Sequence, residues 1–220
     1  MRQSFALRRI ARIAASGGLT LIAIAYAPET LAFPYHAQLP GLSVWAERPI
    51  DRAALARVTA RADGLVASSP LATPLPPRRL FLTRGGWRWT LLTRGSGAFA
   101  LSYPLSNAVV FNRADIAADR IANRAPVGGI RTLSGVMAHE TAHILVARRI
   151  GAVAAALLPS WKAEGLSDVV ARESSLSPAQ AARLRSFPQP SPALFYYDAR
   201  ARVAALLAHG ESVDTLLGGA

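Results

Sequence analysis

Two of the chain's four histidines stand four positions apart in His139-Glu140-Thr141-Ala142-His143, with a carboxylate beside the first. Four residues is about one helical turn, so both imidazoles leave a helix on one face and can share a metal ion. Glu140 sits one step round, within reach of a water on that ion, and suits a general base. Imidazole is a good zinc ligand, and a catalytic zinc takes three protein ligands with one position left open. Val136, Met137, Ile144 and Leu145 make the surrounding positions apolar. Two histidines and an acid in such a setting are an expensive core without a metal, because burying them unpaired costs several kcal/mol. The chain has no cysteine. That excludes a thiol nucleophile, a disulfide scaffold and any Cys-ligated zinc or iron–sulfur site, and leaves His, Asp and Glu as the strong ligands.

The third ligand is expected on the next helix. Trp161-Lys162-Ala163-Glu164-Gly165-Leu166-Ser167-Asp168 supplies it, with Glu164 following His143 by 21 positions. Gly151 and Pro159 end one helix and introduce the next, and the loop between them lets the two cross. Asp168 lies four residues after Glu164, on the same face. There it can accept the free N–H of a ligating imidazole and fix its tautomer; the alternative is an exposed helix acid.

These two blocks resemble the gluzincin metallopeptidases, the thermolysin and aminopeptidase N clan. The resemblance is strong over about Leu133 to Glu173. With Leu158-Pro159-Ser160 ahead of the Trp-x-x-Glu-Gly block, it looks most like the small exported bacterial branch. It implies that His139, His143 and Glu164 bind Zn2+, that Glu140 is the general base, and that Asp168 is the acid beside the ligands. The metzincin pattern is excluded, since Val146 and Arg149 occupy the positions where it needs Gly and His. Gly97-Ala98-Phe99-Ala100-Leu101 resembles the aminopeptidase strand but lacks the glutamate that holds a free substrate amine, so aminopeptidase specificity is not supported and endopeptidase versus exopeptidase stays open. Negative charge building on the attacked carbonyl needs a donor as well as the metal. Family members use a downstream Tyr or His; Tyr196 or Tyr197 is expected here, with His209 as the alternative.

The elements that must position these groups read as strands first and helices after, an α+β chain. A possible strand at Leu42 to Trp45 follows an extended lead-in from Phe33 to Gly41. Asp51 caps a helix with Leu55, Val58, Ala62 and Leu65 on its apolar stripe. Ser68 to Pro77, with four prolines, is a loop. Leu80 to Thr83 and Trp87 to Leu92 flank Arg84-Gly85-Gly86 as a hairpin, although Trp87 and Leu91 at i, i+4 also suit a short helix. Phe99 to Tyr103 and Ala108 to Phe111 are strands separated by a turn at Pro104. Helices are expected over Leu133 to Ile150, Trp161 to Glu173, Pro178 to Ser186 with a Ser177/Gln180 capping box, and about Ala193 to Ala208. The expected architecture is a small mixed or antiparallel sheet packed on a zincin-like helical half.

The amino end reads as a secretory signal. Arg2, Arg8, Arg9 and Arg12 precede an uncharged stretch from Ile13 to Ala27, which is short for a membrane span of about 20 residues. Cleavage falls between residues 25 and 32, after Ala25, Ala27 or Ala32, leaving residues 28–220 as one zincin-like domain, exported to the periplasm or beyond. An uncleaved anchor is the alternative. The 220 residues carry 51% apolar and 17% charged side chains, so disorder and low-complexity classes are excluded.

The formal charge is +12, yet the basic residues are spread along the chain and only Lys162 is a lysine. No run of five basic residues and no RNA-binding signature appears, so no nucleic-acid partner is expected; the charge favours anionic envelope surfaces. The function expected is zinc-dependent hydrolysis of peptide or protein substrates lying along a strand edge within Phe99 to Phe111. Trp87, Trp89 and Tyr103 either line subsites or pack in the core. The competing reading is a catalytically silent zincin-fold binding protein of the envelope.

Overall fold

The expected helix cap at Asp51 forms. Its carboxylate accepts from Ala54 N at 3.0 Å and starts α1, Arg52–Ala67. Leu55, Val58 and Ala62 are buried as their spacing predicts. The computed structural model describes residues 27–218, so the apolar stretch read as a signal lies almost wholly outside the described residues.

Before α1 come β1, Tyr35–Leu39, and β2, Leu42–Ala46, an antiparallel hairpin across Pro40-Gly41. The lead-in is therefore itself a strand, because its backbone groups find partners on β2. The Pro-rich loop then delivers β3, Arg78–Leu82, parallel to β2. Trp87–Thr93 is a helix, α2, which removes the hairpin reading. β3 already has β2 on one side and β5, Ala108–Phe111, on the other, leaving no free edge for a hairpin partner. Gly85 makes the turn possible: its φ is +71°, and a Cβ there would lie 2.5 Å from Asn112 Oδ1.

β4, Ala100–Tyr103, pairs antiparallel with β5 only. The sheet order is β1-β2-β3-β5-β4, so β4 is an edge. Alternation along the strands sends Val44, Leu80, Leu82, Val109 and Phe111 to the face that carries the main core. Phe81, Ala108 and Val110 point to the other face, where Trp89 and Leu92 of α2 cover them.

Two short strands, β6 (Arg120–Ala122) and β7 (Ile130–Thr132), form a separate pair leading into α3, Leu133–Ile150. Thr132 caps α3 by accepting from Gly135 N at 3.0 Å, and Asp119 accepts from Ser134 N at 2.7 Å. The helices α4 (Ala152–Leu157), α5 (Ser160–Ala171), α6 (Pro178–Arg185), α7 (Pro192–Ala208) and α8 (Val213–Gly218) follow. The loop expected between α3 and α5 thus contains one turn and a half of helix. α5 ends at Ala171, two residues before Glu173, and its cap Arg172 has a left-handed φ of +54°. Both halves of the Ser177/Gln180 capping box are present.

α3 packs on α1 and α5, and α5 packs on α7, so the chain is α+β with a mixed sheet against a helical half. No helix among the described residues is long and apolar enough to cross a membrane.

Candidate metal centre

His139 and His143 project from one turn of α3 and meet Glu164 of α5. His143 Nε2 lies 3.1 Å from His139 Nε2, and Glu164 Oε2 lies 3.2 Å from His139 Nε2 and 3.5 Å from His143 Nε2. A tetrahedral ion with ligand bonds of about 2.0–2.1 Å has donor–donor edges of about 3.3–3.4 Å. The three observed edges bracket that length. The donor set therefore fits an ion of zinc's size, with a fourth direction facing the cleft.

His139 is fixed from behind. Its Nδ1 is 2.7 Å from Asp168 Oδ1, and because a carboxylate can only accept, Nδ1 carries a proton, which leaves Nε2 as the ring's ligating atom. Asp168 is fully buried. Burial alone would raise its pKa, but Arg131, with Nη1 at 2.9 Å, and His139 hold it below the usual carboxylate range. Burial likewise pushes the His139 imidazolium down, and the Asp168 and Glu164 carboxylates outweigh it, raising the metal-free value to about 10. Glu164 is opposed by burial and held below its ordinary value by hydrogen bonds from both imidazoles. The pocket is built for positive charge.

Arg131 is the functional residue that spacing did not reveal. It sits in β7, directly before the cap Thr132, and spans Asp168 and Glu173, the latter at 3.0 Å from its Nε. Glu173 also accepts from Thr132 Oγ1 at 2.8 Å. One ionic chain thus ties the start of α3, the end of α5 and the back of His139 together. No spacing rule marks an arginine eight residues ahead of His139 as its support. On the opposite side of the motif, buried Arg78 reaches Thr141 Oγ1 at 3.1 Å and Asp63 at 2.7 Å, anchoring the back of the same turn.

Tyr196 enters the site from α7. Gly165 explains how: a Cβ at that position would lie 2.5 Å from Ala199 O and 2.7 Å from Val203 Cγ2. The absent side chain lets α7 press against α5 right beside Glu164, and Tyr196 is one turn before Ala199. Burial and the nearby Glu164, Glu140 and Asp168 carboxylates push the Tyr196 phenol well above its ordinary pKa, so it stays protonated as a donor. Tyr197 points elsewhere, with the Arg185 guanidinium over its ring at 5.8 Å. His209 is exposed at the end of α7, where its Nδ1 donates to Ala205 O at 2.7 Å. Of the three candidates for the oxyanion donor, Tyr196 alone lines the cleft.

That cleft has a volume of about 1090 Å³ and is bounded by His139, Glu140, His143, Glu164 and Tyr196 on one side and by Ser96 to Ser102 on the other. Glu140 is 6% exposed and opens into it. The wall opposite the His139, His143 and Glu164 cluster is β4, the sheet edge that pairs on one side only among the described residues. Trp87, Trp89 and Tyr103 do not line it. They belong to the α2 side of the sheet: Trp89 is buried there, Tyr103 donates to Leu92 O, and Trp87 is 58% exposed under Arg88.

No protein-family model, curated protein or solved structure matches the chain, so the functional reading rests on its own residues and geometry.

Proposed function

We propose that this protein is an exported zinc metallopeptidase of the gluzincin type. The observation that carries the reading is the convergence of His139 Nε2, His143 Nε2 and Glu164 Oε2 within 3.1–3.5 Å of one another, at the wall of a cleft faced by a free strand edge. When bound, zinc supplies a Lewis acid that polarises a carbonyl and acidifies water at neutral pH. His139, His143 and Glu164 are its ligands.

The chain's own groups supply the rest. An extended peptide adds to β4 by backbone hydrogen bonds, which sets its scissile carbonyl opposite α3. Glu140 accepts the proton released as water adds to that carbonyl carbon. Once the C–N bond breaks, it hands the same proton to the leaving amine, so its own charge is restored at the end of the cycle. Tyr196 donates its hydroxyl to the oxygen on which negative charge develops, a role that needs the phenol protonated. Asp168 and Arg131 hold the His139 ring and its tautomer throughout.

The experiment is metal analysis joined to peptide turnover. About one zinc per chain, lost in Glu164→Ala, together with turnover that a chelator abolishes and zinc restores, is the expected result. Stoichiometric zinc at full affinity in Glu164→Ala places the third ligand elsewhere. Zinc without turnover on a broad peptide library favours the silent binding protein.

A further inference from the structure

α4 has the sequence Ala-Val-Ala-Ala-Ala-Leu, and none of its residues is buried. Val153 and Leu157 are 76% and 77% exposed, although a short helix between two packed helices could have turned them inward. The neighbouring Ala152, Ala155 and Ala156 line the cleft, and so do Leu105 at 71% exposure and Phe187 at 50%. Three separate segments therefore place large apolar side chains in water around one rim. Exposed apolar surface gathered in one place marks an interaction face.

Two exposed arginines are chain neighbours of residues that line the cleft. Arg124 lies between the lining residues Asn123 and Ala125, and Arg183 precedes the lining Leu184. Both are exposed, and among the described residues neither is in an ion pair. Among the described residues the carboxylates lining the cleft are Glu140 and Glu164, at its metal-binding wall. A second copy of the chain would bring two such arginine rims together, which opposes self-association. A surface that is apolar beneath and anionic above satisfies both features at once.

We propose that this rim docks on an anionic lipid bilayer, with Val153 and Leu157 entering the headgroup boundary and Arg124 and Arg183 contacting lipid phosphates. The docked cleft faces the membrane. Its substrates are then chain segments at the bilayer surface, although docking itself does not depend on whether the centre is catalytic.

The chain's lack of cysteine makes the test site-specific. In the full chain, Val153→Cys carries an environment-sensitive fluorophore, and Ala60→Cys on the exposed side of α1 carries the same label as a control. Vesicles of equimolar phosphatidylcholine and phosphatidylglycerol should blue-shift the label at position 153 and leave the one at position 60 at its aqueous emission. Any attachment through residues 1–26 is common to both labelled chains and does not produce that difference. High salt, or Arg124→Gln and Arg183→Gln together, should remove most of the shift, with helical circular dichroism and zinc content unchanged. An aqueous emission at position 153 on vesicles that do bind the protein overturns the proposal. An equal shift on pure phosphatidylcholine overturns its charge component, and a shift without lipid that grows with protein concentration assigns the face to a second copy.

Discussion

A single methyl group added at Gly165 should displace Tyr196 without altering any metal ligand. The Cβ of Gly165→Ala would lie 2.5 Å from Ala199 O, and ordinary contact begins at 3.4 Å, so α7 must retreat by about 0.9 Å there. The obstructing atom is a backbone carbonyl, which has no rotamer to escape into. Overpacking of this kind costs about 1–3 kcal/mol, while alanine's helix propensity returns about 1 kcal/mol. The net loss is about 0–2 kcal/mol, read as a shift in a urea melt. Tyr196 lies one turn from Ala199 on the same rigid helix and must move with it. Misplacing a reacting group by about 1 Å costs on the order of 10²-fold in rate. Urea unfolding, zinc content and kcat/KM on one cleaved peptide separate these effects: zinc should be retained, stability slightly reduced and turnover down by about two orders of magnitude. Turnover within about twofold of the parent, despite the stability loss, would refute the claim that the Gly165 contact sets Tyr196. A variant more stable than the parent would refute the close approach itself.

Tyr196→Phe should retain zinc and KM and lose about 10²–10³-fold in kcat, the usual cost of one oxyanion donor, while Tyr197→Phe stays near the parental rate; steady-state kinetics of the pair check this. Asp168→Asn removes the charge behind His139 and should weaken zinc binding by about 10–100-fold in a chelator competition assay. The acid limit follows from the same carboxylate. Asp168 ionises below its ordinary value of 3.8 in the folded chain, so the stability it lends is present above that value and is lost as pH falls through the lower folded value. Urea midpoints should therefore drop progressively as pH falls below about 5, and more shallowly in Asp168→Asn, whose side chain does not titrate.

Much of the site was legible because its spacing rules are local. His139, Glu140 and His143 sit within a turn and a half of one helix, and Glu164 and Asp168 repeat that spacing on the next, so one helix crossing aligns all five. Local capping chemistry was equally readable at Asp51 and Ser177. What spacing could not supply is the identity of long-range partners. Arg131 acts on Asp168 across 37 positions, from a three-residue strand with no apolar periodicity to signal it. The choice between Tyr196 and Tyr197 depended on the contact of Gly165 with Ala199, which is set by how two helices press together. Trp87 to Leu92 carried both a strand-like composition and an i, i+4 pair, and the sheet decided the matter by occupying both edges of β3. α4 escaped notice because six small and apolar residues have no polar face to give a period.

Glu140→Gln tests the central claim most directly, because it keeps the size of the side chain and the three ligands while removing the base. The account predicts parental zinc content, near-parental stability and turnover reduced by at least about 10²-fold on a peptide that the parent cleaves. More than about a tenth of the parental rate with zinc fully bound would contradict it, and would assign the proton transfer to another group.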